Sequence, residues 1–549
     1  MRICLNIFLT GWLLAFPCFQ QAQTAAPNSE AQHPAASDAQ ERPTQEQPTL
    51  KIRKTTRLVE VQVVARDKNG NAVRNLQAKD FVVIDNGRTQ KIASFSALQG
   101  TAPPQAFPQP QPTVPGKTKL FSNAHPENES AVVFLLDFLN TPLTDQANAK
   151  QQLLRSLQQI NGTGPIALLY LGNGLRLLSD FGSSPASVAE TLTQFKTTRQ
   201  EGHGPALFIP DTGKQKLDEK ITQLDAQIFP AIHQERLAQT LDALSLIRKH
   251  LAGIRGRKSL VWISGGVLVF PPDQVRLQKA LDAFNDANVS VYAINSRGLF
   301  VNSELDPIFK NGDVDLFGEV EDLRNGDVLA HVAHDTGGLY YRNQNGLDIA
   351  VKQAMEDPRW VYTLSYYPDH DAWDGKFHRI GIRTSLPAIQ LRHRDGYFAN
   401  PESRPAAQLQ ETQLREIADS PLDFSGIRFS ASFSGAPGDP AAGLTLYVTA
   451  NDLELAPQDN KRHGLLQLWC LQRSATGTEL KITPKDFAVL IHEDAYPAVV
   501  RDGLRLKATV PLQPAATKVR VVLRDTLSGR IGTLDIPISP TTPNPKSLD

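Results

Sequence analysis

Asp137, Asn140 and Thr141 follow the apolar run Val132-Val133-Phe134-Leu135-Leu136, and helical sequence starts after Asp145. An apolar run that stops at polar residues is the pattern of a buried parallel strand. It delivers side chains to the carboxyl edge of an open α/β sheet, where such sheets bind ligands. One carboxylate beside amide and hydroxyl oxygens is suited to a hard cation, which needs several such ligands. The same residues also serve a plainer purpose, capping the next helix and fixing its loop by hydrogen bonds. Ser264, in Trp262-Ile263-Ser264-Gly265-Gly266, loosely matches the turn that exposes a nucleophilic serine. That turn needs glycine two residues before the serine, where Trp262 stands, so a strand-end turn is expected. His331 and His334 lie three apart on an expected helix beside Asp335, a spacing that puts two imidazoles on one face. No third ligand follows at a zinc-site spacing, so surface or capping histidines are expected.

To reach one edge, these groups need alternating strands and helices, and residues 130–357 alternate in that way. A helix from about Asp145 to Ile160 leads to a strand at Ile166 to Leu171, and Gly172-Asn173-Gly174 turns into an antiparallel edge strand. In the longest helix, about Ile232 to Leu251, the residues Leu237, Leu241, Leu244, Ile247 and Leu251 form one stripe. Strands at Ser259 to Ser264 and Val289 to Ile294 flank a helix near Pro272 to Ala287, and a last helix and strand bracket Asp335-Thr336-Gly337-Gly338. Such repeats require right-handed crossovers and a sheet covered on both faces. The expected fold is α/β, a Rossmann-like doubly wound, mostly parallel sheet between β-domains. Residues 51–100 form a small β-domain, with a hairpin joining Phe81 to Ile84 and Gln90 to Phe95 through Asp85-Asn86-Gly87. Residues 358–400 are a β-hairpin extension pairing Tyr362 to Tyr367 with Phe377 to Arg383, and residues 401–540 a sandwich-like β-domain. Glu201 to Pro230 is long for a loop and reads as a lid or an extra helix. The run Arg255, Arg257, Lys258 reads as a solvated helix end.

At 549 residues the chain exceeds one core, and roughly three or four domains are expected. Its 57 basic and 57 acidic residues cancel, so no global field favours nucleic acid. Residues 1–23 read as a cleaved signal peptide, with Arg2 ahead of the apolar Ile3 to Phe16, a stretch too short to span a bilayer. The mature chain is therefore expected in the periplasm or outside the cell, without an integral membrane span. Residues 24–50 are a Pro/Gln/Ala-rich tether, 101–129 a Pro-rich linker and 541–549 a tail. Cleavage removes Cys4 and Cys18 and leaves Cys470, expected in a buried strand beside Trp469.

Several stretches carry a family likeness. They are Asp80-Phe81-Val82-Val83-Ile84-Asp85-Asn86-Gly87, Asp137 with Asn140-Thr141, the run from Gly256 to Gly266, Thr336-Gly337-Gly338, Tyr366-Tyr367-Pro368, and Val522-Leu523-Arg524-Asp525 with Ser528-Gly529-Arg530. In number and order they resemble the von Willebrand factor type A-related family typical of acidobacterial exported proteins, over nearly the whole mature chain. The resemblance implies a Rossmann-like core with adhesion-like or scaffolding work. It also implies a metal held by three loops: an Asp-x-Ser-x-Ser motif, a threonine and an aspartate. Asp137 and Thr141 match the first and last positions of that motif, Leu139 replaces its middle serine, and Asn140 offers an extra oxygen. Gly182, in Asp180-Phe181-Gly182-Ser183-Ser184, stands where threonine is common, and Gly265 stands where aspartate is usual. The resemblance thus implies a degenerate site for Mg²⁺ or Ca²⁺ at Asp137, Asn140 and Thr141. The expected function is a non-catalytic module that binds an unidentified protein or envelope component through Asp137, Thr141, Ser183, Ser184, Ser264 and Gly265. The alternatives are an envelope hydrolase, using Ser264 or a metal at His331 and His334, and a purely structural envelope protein.

Overall fold

The computed structural model describes residues 57–99, 119–124, 131–159, 166–196, 215–254, 256–267, 269, 271–296, 328–341, 347–369, 373–401 and 411–538. The signal peptide, the tether, the tail and residues 201–214 lie outside these. The chain begins with β1 (Val59–Asp67), β2 (Phe81–Asp85), β3 (Arg88–Gln90) and β4 (Ile92–Gln99), then the short β5 (Phe121–Ser122).

The α/β core follows. Its strands are β6 (Val132–Asp137), β7 (Ile166–Gly172), β8 (Gly174–Ser183), β9 (Lys258–Ser264), β10 (Val289–Asn295) and β11 (Leu339–Tyr341). They form one six-stranded sheet in the order β11-β10-β9-β6-β7-β8. All neighbours are parallel except β7 and β8, which are antiparallel. β6, β7 and β9 are buried along their whole lengths, so alternate side chains must supply two cores, one on each face.

Among the described residues, six helices do the covering: α1 (Leu143–Gln159), α2 (Pro185–Gln194), α3 (Gln215–Leu251), α4 (Gln274–Asp286), α5 (328–335) and α6 (Leu347–Glu356). The α3 stripe of Leu237, Leu241, Leu244, Ile247 and Leu251 packs with Leu277 and Leu281 of α4 and Val332 of α5 on Val133, Leu135, Leu260 and Trp262. On the other face Leu153 and Leu157 of α1, Val188 and Leu192 of α2, and Val351 of α6 pack on Phe134, Leu136, Tyr170 and Ile263. The backbone of α3 starts well ahead of Ile232, so the part of the 201–230 stretch described is helix. Arg257 and Lys258 are not a solvated helix end. They are 2% and 3% exposed, with Arg257 donating to Gly337 O at 2.6 Å and Lys258 Nζ to Ile254 O at 2.8 Å.

Beyond the core, β12 (Trp360–Tyr366), β13 (Phe377–Thr384), β14 (Ile389–Arg392) and β15 (Gly396–Phe398) turn back onto the first four strands. The sheets are β14-β1-β12-β4 and β15-β13-β2-β3, and they enclose one core that includes Val61, Val63, Phe81, Tyr362 and Leu364. Residues 51–100 and 358–400, expected as separate pieces, therefore build one β-unit. β12 and β13 do not pair with each other: β12 pairs with β1 and β4, and β13 with β2 and β15. The expected hairpin is also shorter than its sequence, because the turn after β2 returns only the short β3 to it while β4 crosses to the other sheet. Local alternation sets which face is buried, but not which strand lies alongside.

The last described part comprises β16 (Phe429–Ser434), β17 (Gly443–Val448), β18 (Ala456–Gln458), β19 (Lys461–Arg473), β20 (Glu479–His492), β21 (Leu504–Thr509), β22 (Lys518–Asp525) and β23 (Ile531–Pro537). Sheets β21-β17-β16-β5 and β18-β19-β22-β23, with β20 on β19, enclose a shared core. Cys470 is buried on β19, and burial pushes its thiol up to about 12. This unit docks on the end of α3. Gly253 N donates to Ser425 Oγ at 3.0 Å, and a Cβ at Gly253 would lie 1.8 Å from Ser425 O. No described helix is long and apolar enough to cross a membrane.

Candidate functional site

Three parallel strands carry the sequence-predicted site to the carboxyl edge. In register, Asp137 of β6 lies between Leu171 of β7 and Ser264 of β9, and Ser264 lies beside Asn295 of β10. Read from β8, the six strands follow the order third, second, first, fourth, fifth, sixth. In that order the reversal of winding falls between the first and fourth strands, here β6 and β9. Asp137 and Ser264 end those two strands.

Asp137 is fully buried, and its carboxylate accepts five hydrogen bonds. Oδ1 takes the backbone N–H of Asn140 at 3.1 Å and its Nδ2 at 3.0 Å. Oδ2 takes Asn140 Nδ2 at 2.9 Å, Trp262 Nε1 at 3.0 Å and Ser264 Oγ at 2.8 Å. Burial pushes the carboxyl above its ordinary range, while the Asn140, Ser264 and Trp262 donors pull the other way. Asn140 Nδ2 also reaches Thr240 Oγ1 of α3 at 2.9 Å. Thr141 Oγ1 donates to Asp137 O at 2.5 Å and accepts Gly265 N–H at 2.9 Å. The loop from β6 to α1 is thus tied to β6, β9 and α3 at once.

This arrangement does not fit Mg²⁺ or Ca²⁺. A hard cation needs carboxylate and hydroxyl lone pairs turned toward it, whereas both Asp137 oxygens face N–H and O–H groups. Asn140 presents its amide nitrogen, Thr141 spends its hydroxyl on the backbone, and Leu139 and Gly265 have no side-chain oxygen. Among the described residues no cluster of three or more His, Cys, Asp or Glu could hold a metal. The expected metal ligands are therefore the members of a hydrogen-bonded latch.

Two expected contact residues are on the wrong edge. β8 runs antiparallel, so Ser183 pairs with Ile166 at the amino end of β7. That is five residues before Leu171, a separation of about 17 Å along the strand. Ser183 accepts from Ser179 Oγ at 2.9 Å, and Ser184 caps α2 by accepting Ser187 N–H at 3.1 Å. Asp137, Thr141, Ser264 and Gly265 do come together, but all four are buried and offer no surface to a partner. Ser264 donates to Asp137 and accepts Gly266 N–H at 3.2 Å, which occupies the hydroxyl a hydrolase would need free. His331 and His334 are exposed, and His331 Nε2 lies 3.4 Å from Asp335 Oδ2. The members sequence reasoning missed are Thr240, Trp262 and Ser296, whose Oγ lies 3.4 Å from Thr141 Oγ1. The indole of Trp262 was the available signal, a polar N–H inside a fully buried strand.

Gly265 explains why no carboxylate occupies its position. A Cβ there would lie 2.6 Å from Asn140 O and 2.8 Å from Pro142 Cδ. Gly265→Ala is expected to lose about 1–3 kcal/mol through overpacking. Gly265→Asp is expected to lose at least as much and to gain no Mg²⁺- or Ca²⁺-dependent rise in Tm. Thermal unfolding with and without the cations checks both, and a cation-dependent rise would reinstate the metal site.

No protein-family model matches the sequence, and no curated protein sequence matches it. Among solved structures, an aerotolerance-related membrane protein from Bacteroides fragilis aligns at 14% identity over 42% of this chain and 98% of its own, with a TM-score of 0.26. The conserved hypothetical protein BatB from Bacteroides thetaiotaomicron aligns at 16% identity over 41% and 97%, also at 0.26. Manganese-loaded TRAP protein from Plasmodium vivax aligns at 12% identity over 51% and 98%, again at 0.26.

Proposed function

We propose that the chain is an exported, non-catalytic binding protein built on a doubly wound, von Willebrand factor type A-like core. It takes a protein or envelope component at the carboxyl edge of its sheet without a metal. The observation that carries this reading is the Asp137 latch at the reversal between β6 and β9. The latch turns every polar group of the expected metal site inward and holds the loop rigid. What it leaves outside is the loop's own rim: Leu139, Asn140 and Pro142 are half-buried and Leu143 is 50% exposed. A loop fixed before contact loses little entropy on binding. Asp137 is then a positioning residue, and the partner touches the rim. Export rests on the signal-like residues 1–23.

The test is a photo-crosslinking residue placed at 143 in the full chain, expressed in its own cells, with 184 on the opposite edge as the control. An adduct at 143 and none at 184 is expected. Leu143→Arg should cut retention of that partner about tenfold or more, the worth of one buried leucine contact, with Tm unchanged. Equal labelling at both positions, or none at 143, sinks the proposal.

A further inference from the structure

A cavity of about 430 Å³ opens between the front β-unit and the core, away from the latch. One wall is the approach to and start of β1, with Arg57 and Glu60, together with Trp373 ahead of β13, Arg394 between β14 and β15, and Phe398 of β15. The facing wall is α4, with Asp282 and Asp286 four residues apart on one side of the helix. Its size is that of a small-molecule site, and its walls combine aromatic rings with a few charges, as such sites do.

Most of the charges are already paired. Arg57 donates to Asn400 O at 2.6 Å with its guanidinium 4.6 Å over the Trp373 ring. Glu60 Oε1 accepts from Asn288 at 3.1 Å, and Arg394 Nη2 donates to Glu60 O at 2.9 Å. Two groups stand apart. Arg394 Nε is buried and has no hydrogen-bond partner, which leaves one N–H of a charged group unmet. Across the cavity Asp286 is exposed and makes no hydrogen bond with another described residue; burial pushes its carboxyl up, against the downward draw of the Arg394, Arg248 and Arg57 charges.

We propose that this cavity binds a small zwitterion with an apolar side chain, a free amino acid or short peptide. Its ammonium would face Asp286 and Asp282, its carboxylate Arg394, and its side chain the aromatic wall. The charge count decides among ligand types. Three carboxylates against two guanidiniums disfavour a simple anion, and a simple cation leaves Arg394 Nε without an acceptor. A neutral sugar meets neither charge in full. Asp282 supports the ammonium end: burial, with help from Asp286 and Asp335, pushes its carboxyl up to about 6, and a cation at hand would relieve that.

The proposal is independent of the rim reading, because cavity and latch share no residue. The experiment is calorimetric titration of the full chain with L-phenylalanine, phenethylamine, 3-phenylpropanoate and N-acetylglucosamine. Saturable binding of phenylalanine is expected, with both single-charge analogues weaker by about tenfold or more, the worth of one charge-assisted hydrogen bond. Asp286→Asn, at an exposed position, should leave Tm unchanged and weaken phenylalanine while sparing 3-phenylpropanoate, and Asp282→Asn should act in the same direction. Four results would overturn it: no saturable binding of phenylalanine, equal affinity for the single-charge analogues, tighter binding of N-acetylglucosamine, or an unchanged affinity in folded Asp286→Asn.

Discussion

Asp357→Ala is expected to lose about 3–5 kcal/mol of stability at neutral pH, the cost of stripping the partner from buried charges. Asp357 follows α6, and its carboxylate is fully buried. Oδ1 accepts Arg66 Nε at 2.9 Å and Nη2 at 2.5 Å, and Oδ2 accepts Arg392 Nη2 at 2.5 Å and the Tyr292 hydroxyl. Arg66 belongs to β1, Arg392 to β14 and Tyr292 to β10, so this one carboxylate joins the front β-unit to the core. Burial pushes its pKa up, but Arg392, Arg66 and the Tyr292 hydroxyl together outweigh burial and hold it below the ordinary 3.8. A depressed folded-state pKa means the contribution is complete above the ordinary range and fades as pH falls through the folded value. The gap between wild type and Asp357→Ala should therefore be widest near neutrality and close below pH about 3.8. Urea unfolding from neutral to acid pH measures this. An unchanged midpoint at pH 7 would mean the cluster does not hold the two units together.

Asp137→Ala is expected to cost a similar amount, about 3–5 kcal/mol, for a different reason. It leaves Trp262 Nε1, Ser264 Oγ and the Asn140 backbone N–H without an acceptor inside the protein, and Asn140 Nδ2 with Thr240 Oγ1 alone. Asp137→Asn keeps the volume and one acceptor oxygen, and should lose less. The pH sign is opposite to that of Asp357. Because burial raises the Asp137 pKa, the folded state holds its proton longer than the unfolded chain. This group's contribution then falls as pH climbs from 3.8 toward the raised folded value. Asp137→Asn should remove that slope. Loss of partner capture in Asp137→Asn with Tm near wild type would show that the loop must be latched in place to bind. Unchanged Tm and unchanged indole fluorescence in Asp137→Ala would show that no latch exists.

The core was legible because its signals are local and redundant. The five-residue apolar run before Asp137, the α3 stripe and the Gly172-Asn173-Gly174 turn each carry their own period or turn chemistry. The front unit was legible only in part. Each strand was visible, but the pairing of Val61 with Leu364 joins residues some three hundred positions apart, and nothing local encodes it. The site was half legible. Placing Asp137, Thr141, Ser264 and Gly265 together followed from strand order. Putting Ser183 and Ser184 with them failed because one antiparallel strand carries its end to the opposite edge. Thr336-Gly337-Gly338, noticed as a likeness, turns out to be a packing device: Thr336 Oγ1 accepts Val291 N–H at 2.9 Å, and a Cβ on Gly338 would sit 1.9 Å from Val291 O.

By itself the sequence determined which segments are strand or helix, which faces are apolar, and that a carboxylate ends the first core strand. Those properties reside in periods of two and 3.6 residues and in turn residues, which act over a few positions. Only the tertiary structure decided what that carboxylate is for. A lone pair that could hold a cation becomes an internal acceptor when an indole from β9 and an amide from its own loop reach it first. That contest is settled by distances of about 3 Å between residues more than a hundred positions apart, which no spacing along the chain records.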